Sequence, residues 1–219
     1  REAVAYHACV QSIIETCKEP GRLQFTPVRG QRRDGSNDFI YARFLVPHLC
    51  GFSGRALFLD GDMIVRADVR ELFDLPMLYR GVRVVKHDYK TKHLVKYLGN
   101  KNEDYPRKNW SSLMLFNCAH PSVRQLTAET VNTQTGAYLH RFQDIPDAEI
   151  GELPQTWNTL DWMDQTTKLI HYTNGGPWFK DYENHPHADV WYTARNEMRA
   201  LADAQGCAAD RVLPIRRDR

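Results

Sequence analysis

Apolar positions along the chain fall into short runs parted by polar turns, with a longer helical repeat near each end. In Ala3 to Cys17, Val4, His7, Ala8, Ile13 and Ile14 lie near one face, while Glu2, Gln11, Glu15 and Lys18 lie elsewhere. Pro20-Gly21 stops that helix. Asp189 to Ala204 repeats the pattern with Trp191, Ala194, Met198 and Leu201, and Gly206 ends it. Between them, Leu23 to Val28, Ala56 to Leu59, Val82 to Lys86, Trp110 to Asn117 and Thr167 to Ile170 have strand character. Shorter helices are predicted from Phe39 to about Leu49, from Asp68 to Phe73 and from Ser122 to Thr133. Ser36 or Asn37 caps the first of these, and Pro47 kinks or ends it. Short apolar strands alternating with helices predict an α/β domain with a mostly parallel, Rossmann-like sheet. Such a domain usually opens on a strand feeding its first helix, so we expect one strand to be missing ahead of Arg1.

With 219 residues and 42% hydrophobic content, one substantial core is the economical expectation, as a domain over 1–205 and a tail over 206–219. A net charge of +2 gives no footprint for nucleic acid. The basic runs, Arg29 to Arg33 and Arg216 to Arg219, read as a solvated loop and a terminus. Cys9, Cys17, Cys50, Cys118 and Cys207 are odd in number and show no C-x-x-C spacing, which argues for neither a disulfide framework nor a zinc site. A reducing, cytoplasmic setting is therefore expected. No apolar stretch approaches the roughly 20 residues that span a bilayer. An anchor upstream of Arg1 would not be visible.

The chemistry gathers at strand ends. In Arg55-Ala-Leu-Phe-Leu-Asp-Gly-Asp, an apolar run stops at Asp60-Gly61-Asp62. Two hard carboxylates one residue apart suit Mg²⁺ or Mn²⁺, although Asp-Gly-Asp is also ordinary turn chemistry. Near the other end, a strand runs into His171-Tyr172-Thr173-Asn174-Gly175-Gly176-Pro177-Trp178. A lone histidine is more often structural, yet imidazole is a good third ligand beside two carboxylates. His87-Asp88, after Val82 to Lys86, reads as an acceptor wall or a turn, and the polar stretch from Lys90 to Asn109 as a short helix and a long binding loop.

Asp60 to Asp74, with Asp68-Val-Arg-Glu-Leu-Phe, resembles the DxD segment of family 8-like glycosyltransferases and its following D-x-x-E-L-F. Ile40-Tyr-Ala-Arg-Phe44 resembles their Y-A-R-x helix, which implies that Arg43 meets the diphosphate. Trp110-Ser-Ser-Leu-Met-Leu-Phe-Asn117 resembles the N-x-G-x-M-L-x-N strand, implying contacts of Ser111 and Ser112 with the donor sugar. The two serines replace the usual Asn and Ala or Gly, so the identity of that sugar does not carry over. Gln143 to Asn158 resembles the acidic segment followed by L-P-x-x-W-N. Asp147 falls on the acidic position, and Ala148 stands where the family has Gln. His171 to Trp178 resembles H-x-x-G-x-x-K-P-W, implying that His171 completes the metal site and that Gly175 and Gly176 meet the diphosphate. The family lysine is missing, and Lys180 is the candidate to replace its charge.

The resemblance, which runs from Arg1 to about Trp191, implies a single GT-A domain with Mn²⁺ or Mg²⁺ as cofactor. The implied activity moves a hexose with retention from a UDP-sugar to a hydroxyl of a glycan, lipid or protein. A non-catalytic nucleotide- or glycan-binding module derived from such a transferase is the alternative. Nucleotidyl transfer also uses acidic pairs, but the His171 to Trp178 string argues against it.

Overall fold

The computed structural model of the chain describes residues 2–28, 39–88 and 105–204. Its centre is strand β4, Leu113–Asn117, whose first four residues are fully buried. Strand β1, Arg55–Leu59, lies antiparallel on one side of it, with Arg55 opposite Asn117 and Leu59 opposite Leu113. Strand β3, Val82–Val84, lies antiparallel on the other side, and β5, Ile150–Glu152, pairs in parallel with β3. A second sheet is built from β2, Met63–Val65, β6, Thr159–Leu160, and β7, Leu169–His171, in the order β2-β7-β6.

Alternation across the strands sorts these residues into layers. Met114, Phe116, Val82 and Val84 face Tyr41, Phe44, Val131 and Leu139, which come from helices on one side of the larger sheet. Leu113, Val85 and Leu153 face Met63, Val65 and Leu169 of the smaller sheet. Ile64 and Ile170, on the other face of that smaller sheet, pack against Ala8 of helix α1, Glu2–Thr16, and against Trp191 and Ala194 of the closing helix, Ala188–Ala204. The two long helices predicted from the sequence thus cover one flank together. Phe25 and Leu23 tuck against the middle layer.

The larger sheet is mixed, whereas a mostly parallel one was expected. An apolar run reports burial on both faces, and an antiparallel strand covered on both faces gives the same run, so direction was not encoded in it. Residues 23–28 form no strand. The helix expected from Phe39 is broken into α2, Phe39–Ala42, a 3₁₀ turn over Arg43–Leu45, and α3, Val46–Leu49. Pro47 accounts for the break, since it has no N–H and its ring crowds the carbonyl of Arg43. A short helix α4, Arg70–Phe73, forms within the stretch expected after the acidic pair. The helix expected over 122–133 survives as α5, Ala128–Thr133, whose cap Thr127 accepts the N–H of Thr130. Helix α6, Gly136–His140, not anticipated from the pattern, is capped in the same way by Thr135. The basic loop expected over 29–33, the cap at 36 or 37, positions 90–104 of the long loop and the tail over 206–219 lie outside the described residues. Among the described residues, no helix is long and apolar enough to cross a membrane.

Phe116 is fully buried at the centre of this layering. Phe116→Ala is expected to lower unfolding free energy by about 3–5 kcal/mol, measured by urea denaturation.

Candidate metal centre

Asp60 follows the last residue of β1, and its N–H donates to the carbonyl of Ser112 at 3.0 Å, which extends the β1–β4 ladder by one bond. Its carboxylate therefore sits at a sheet end. Three residues later the chain enters the second sheet, where Met63 pairs with His171 of β7. The N–H of Tyr172 donates to the carbonyl of Asp62 at 3.0 Å, so the acidic turn is pinned to the residue after the histidine. Asp60, Asp62 and His171 then each offer a ligand atom within 4.8 Å of the others.

Each carboxylate has a different partner. Arg43 holds Asp60 in a fork, Nη1 to Oδ2 at 3.1 Å and Nη2 to Oδ1 at 3.0 Å, while Nη1 also donates to the Ser111 carbonyl at 3.0 Å. The guanidinium is buried and lies over the Phe58 ring. Asp62 Oδ1 lies 3.2 Å from His171 Nε2, yet it is buried without a hydrogen-bond partner. Two hard oxygens and an imidazole are a donor set for Mg²⁺ or Mn²⁺, and the unpartnered Asp62 oxygen is where a cation would complete the site. The residues fit a divalent ion.

The electrostatics agree. Burial raises the Asp60 carboxyl above the usual range more than the Arg43 guanidinium lowers it, and the Asp62 charge adds to the rise. Burial works against the Asp62 charge too, but the adjacent His171 outweighs it and holds that carboxyl below its ordinary value. For His171, burial disfavours the imidazolium, whereas Asp62 first, then Asp60 and Asp161, overcome it and raise the pKa. The two carboxylates are balanced by Arg43 and His171 only while the imidazole keeps its second proton.

Other predicted residues are placed around this cluster in different ways. Ser111 and Ser112 are buried with their hydroxyls engaged, Ser111 with His140 Nδ1 at 2.7 Å and Ser112 with the Asn109 carbonyl at 2.7 Å. Burial lowers the pKa of His140 to about 3, so it is a neutral imidazole. Gly175, at φ +141°, and Gly176 are buried under Tyr182 and Trp178, whose rings leave no room for a Cβ. The Gly175 N–H donates to the Tyr172 carbonyl at 3.3 Å. Lys180 is exposed. Asp147 is not gathered with the three ligands; its carboxylate is 85% exposed and paired with Arg107.

Several residues at the centre were not singled out from the sequence. Asn158 accepts from His171 Nδ1, and it could have been noticed only as the last residue of L-P-x-x-W-N. Asp161 takes the N–H and side-chain amide of Asn174 and the Thr173 hydroxyl, which ties the glycine loop to the end of β6. Arg107, Asn109 and Asp161 all have positive φ. Strained backbone of this kind clusters at functional sites, but composition gives no sign of it beforehand.

No protein-family model matches this chain. Protein CDI of Arabidopsis thaliana is 42% identical over 220 residues, covering 90% of this chain and 82% of its own length. The chain belongs to the Protein CDI family. Glycosyltransferase 8 domain-containing protein 1 of Danio rerio is 30% identical to the CDI-family chain over 79 residues, 35% of this chain and 22% of that protein. Among solved structures, the galactosyltransferase LgtC, in complex with donor and acceptor sugar analogs, superposes with a TM-score of 0.58 at 11% identity, covering 89% of this chain and 92% of LgtC. The apo structure of the bifunctional glycosyltransferase WbbM gives a TM-score of 0.53 at 18% identity, with 91% of this chain covered. The chain spans about half the length of WbbM, 49%. These likenesses establish a GT-A glycosyltransferase fold for the CDI-family chain.

Arg43→Ala would leave the Asp60 carboxylate without its fork, and a loss on the order of 3 kcal/mol in unfolding free energy is expected. Arg43→Lys keeps the charge but not the two-pronged geometry and should cost less. The loss in Arg43→Ala should shrink as pH falls far enough to protonate Asp60, which urea titrations across pH would show.

Proposed function

We propose that this chain is a metal-dependent glycosyltransferase that moves a hexose from a nucleoside-diphosphate sugar, specifically a UDP-sugar, to a hydroxyl acceptor with retention. The observation that carries the proposal is the cluster of Asp60, Asp62 and His171 with the unpartnered, buried Asp62 oxygen, set at a sheet end of a glycosyltransferase fold. The partial likeness to Glycosyltransferase 8 domain-containing protein 1 supports a family 8-type reading of the chain.

In this proposal Asp60, Asp62 and His171 hold Mn²⁺ or Mg²⁺, which when bound neutralises charge on the departing diphosphate. Arg43 fixes the orientation of Asp60, since its fork is occupied by that carboxylate. Ser111 and Ser112 shape the sugar side as a buried, rigid floor. The Gly175-Gly176 loop and the exposed Lys180 line the diphosphate side, with Lys180 supplying the positive charge. Asp147 reaches the sugar on exchanging Arg107 for the substrate. The acceptor is a hydroxyl of a glycan, lipid or protein, and its proton passes to the leaving phosphate oxygen as the new glycosidic bond forms on the same face. Concentrating fixed charge where the leaving group develops its own is the main source of rate enhancement in this scheme.

A second reading, a module that binds the nucleotide or a glycan without turnover, is favoured by one observation. Asp147 is exposed and paired with Arg107, and it is not among the three gathered ligands.

Calorimetric titration of UDP tests the proposal, with Mn²⁺, with EDTA, and into Asp62→Asn. Binding is expected only with the metal, and it should weaken at least tenfold in Asp62→Asn. UDP-sugar turnover then separates transferase from binding module. Failure of a folded chain to bind UDP with Mn²⁺ would overturn the donor site. Because His171 must give up a proton to bind metal and its pKa is raised, Mn²⁺ affinity should fall about tenfold per pH unit below that raised value and level off above it.

A further inference from the structure

Asn158 is completely buried, between a 3₁₀ turn over Gln155–Trp157 and the start of β6. Its amide lies between two polar neighbours from different parts of the chain. Nδ2 donates to Ser112 Oγ at 2.8 Å, and Oδ1 accepts from His171 Nδ1 at 3.1 Å. Ser112 Oγ in turn donates to the Asn109 carbonyl at 2.7 Å.

Counting donors fixes every orientation in this series. A backbone carbonyl can only accept, so the single hydroxyl proton of Ser112 is spent on Asn109. Ser112 Oγ is then left as an acceptor and must face the NH₂ of Asn158. That turns the amide oxygen of Asn158 towards His171. An amide oxygen can only accept, so His171 Nδ1 carries a proton, and in the neutral imidazole Nε2 is the nitrogen that presents its lone pair towards Asp62. The starting point is itself held: Asn109 sits in the left-handed region at φ +66° and ψ −1°, which together set the direction of its carbonyl.

We propose that Asn158 is a positioning residue that fixes His171 as an Nε2 metal ligand, through a relay from Asn109 by way of Ser112. This rests on reading Asp60, Asp62 and His171 as a metal site. It assigns Ser112 a role within that site, because its hydroxyl sets the orientation of the amide that sets the imidazole. Partners of this kind behind a ligating histidine typically alter metal affinity by about 10–100-fold when removed.

The test uses the full chain without nucleotide. Mn²⁺ affinity is measured by electron paramagnetic resonance of the free ion for wild type, Asn158→Leu, Asn158→Asp and Ser112→Ala, each shown to be folded by circular dichroism. Asn158→Leu, similar in size but unable to accept, should weaken Mn²⁺ binding by about 10–100-fold. Asn158→Asp still accepts from Nδ1 and should stay within about threefold of wild type, a rescue that a purely packing role would not produce. Ser112→Ala should fall between them. A second measurement needs no metal: the ¹⁵N resonances of His171, assigned by their loss in His171→Gln, are followed at a pH where the imidazole is neutral. Nδ1 should then report a protonated nitrogen in wild type and in Asn158→Asp. Wild-type Mn²⁺ affinity in a folded Asn158→Leu, or an unprotonated Nδ1 in the wild-type protein, would overturn the relay. A wild-type chain that keeps Nδ1 protonated but binds no Mn²⁺ would instead overturn the metal reading and with it the ligand role given to His171.

Discussion

Two carboxylates one residue apart cannot be withdrawn from water at a sheet end unless the fold supplies partners for both, and the rest of this site follows from that requirement. Burying a carboxylate without compensation costs several kcal/mol. Asp60 is compensated by the Arg43 fork and Asp62 by the imidazole of His171. The compensation is unequal: Asp60 is fully grasped, whereas one oxygen of Asp62 has no hydrogen-bond partner. A site whose charges are balanced, but in which Asp62 Oδ1 accepts no hydrogen bond, keeps a lone pair for a cation.

The layered fold is what brings those partners together. Asp60 follows a strand of the larger sheet, His171 ends a strand of the smaller one, and the three-residue passage from Asp60 to Asp62 connects the sheets. Arg43 arrives from the opposite face, on the 3₁₀ turn between two short helices. The Pro47 break is therefore part of the site's construction, because it gives the chain that turn where an unbroken helix was expected. Phe44, next to Arg43, is buried and meets the rings of His140 and Phe142 edge-on, which anchors the turn.

Behind the ligands lies a set of neutral polar groups whose hydrogen bonds are mutually determined, joined by one carboxylate. His140 is kept uncharged by burial and meets Ser111; Asn158 spans Ser112 and His171; Asp161 ties the loop after His171 to the strand end. Connected hydrogen bonds of this kind specify a geometry more closely than apolar packing alone.

The sequence by itself determined the two long helices, the ligand-bearing strand ends and the chemical types, but not every short element. The spacing of Val4 and Ala8, and of Trp191 and Ala194, determined the two long helices, because helical periodicity depends only on near neighbours. The apolar run ending at Asp60, and the one ending at His171, likewise marked the strand ends that carry the ligands. Only the tertiary structure decided the direction of the strands, since double-sided burial looks the same in either direction. It alone decided that Asp147 pairs with Arg107, and that Asn158 stands between Ser112 and His171, 46 and 13 residues away along the chain. Contacts of that range leave no periodic trace, because they are fixed by how separate elements pack and by which buried groups are left needing a hydrogen bond.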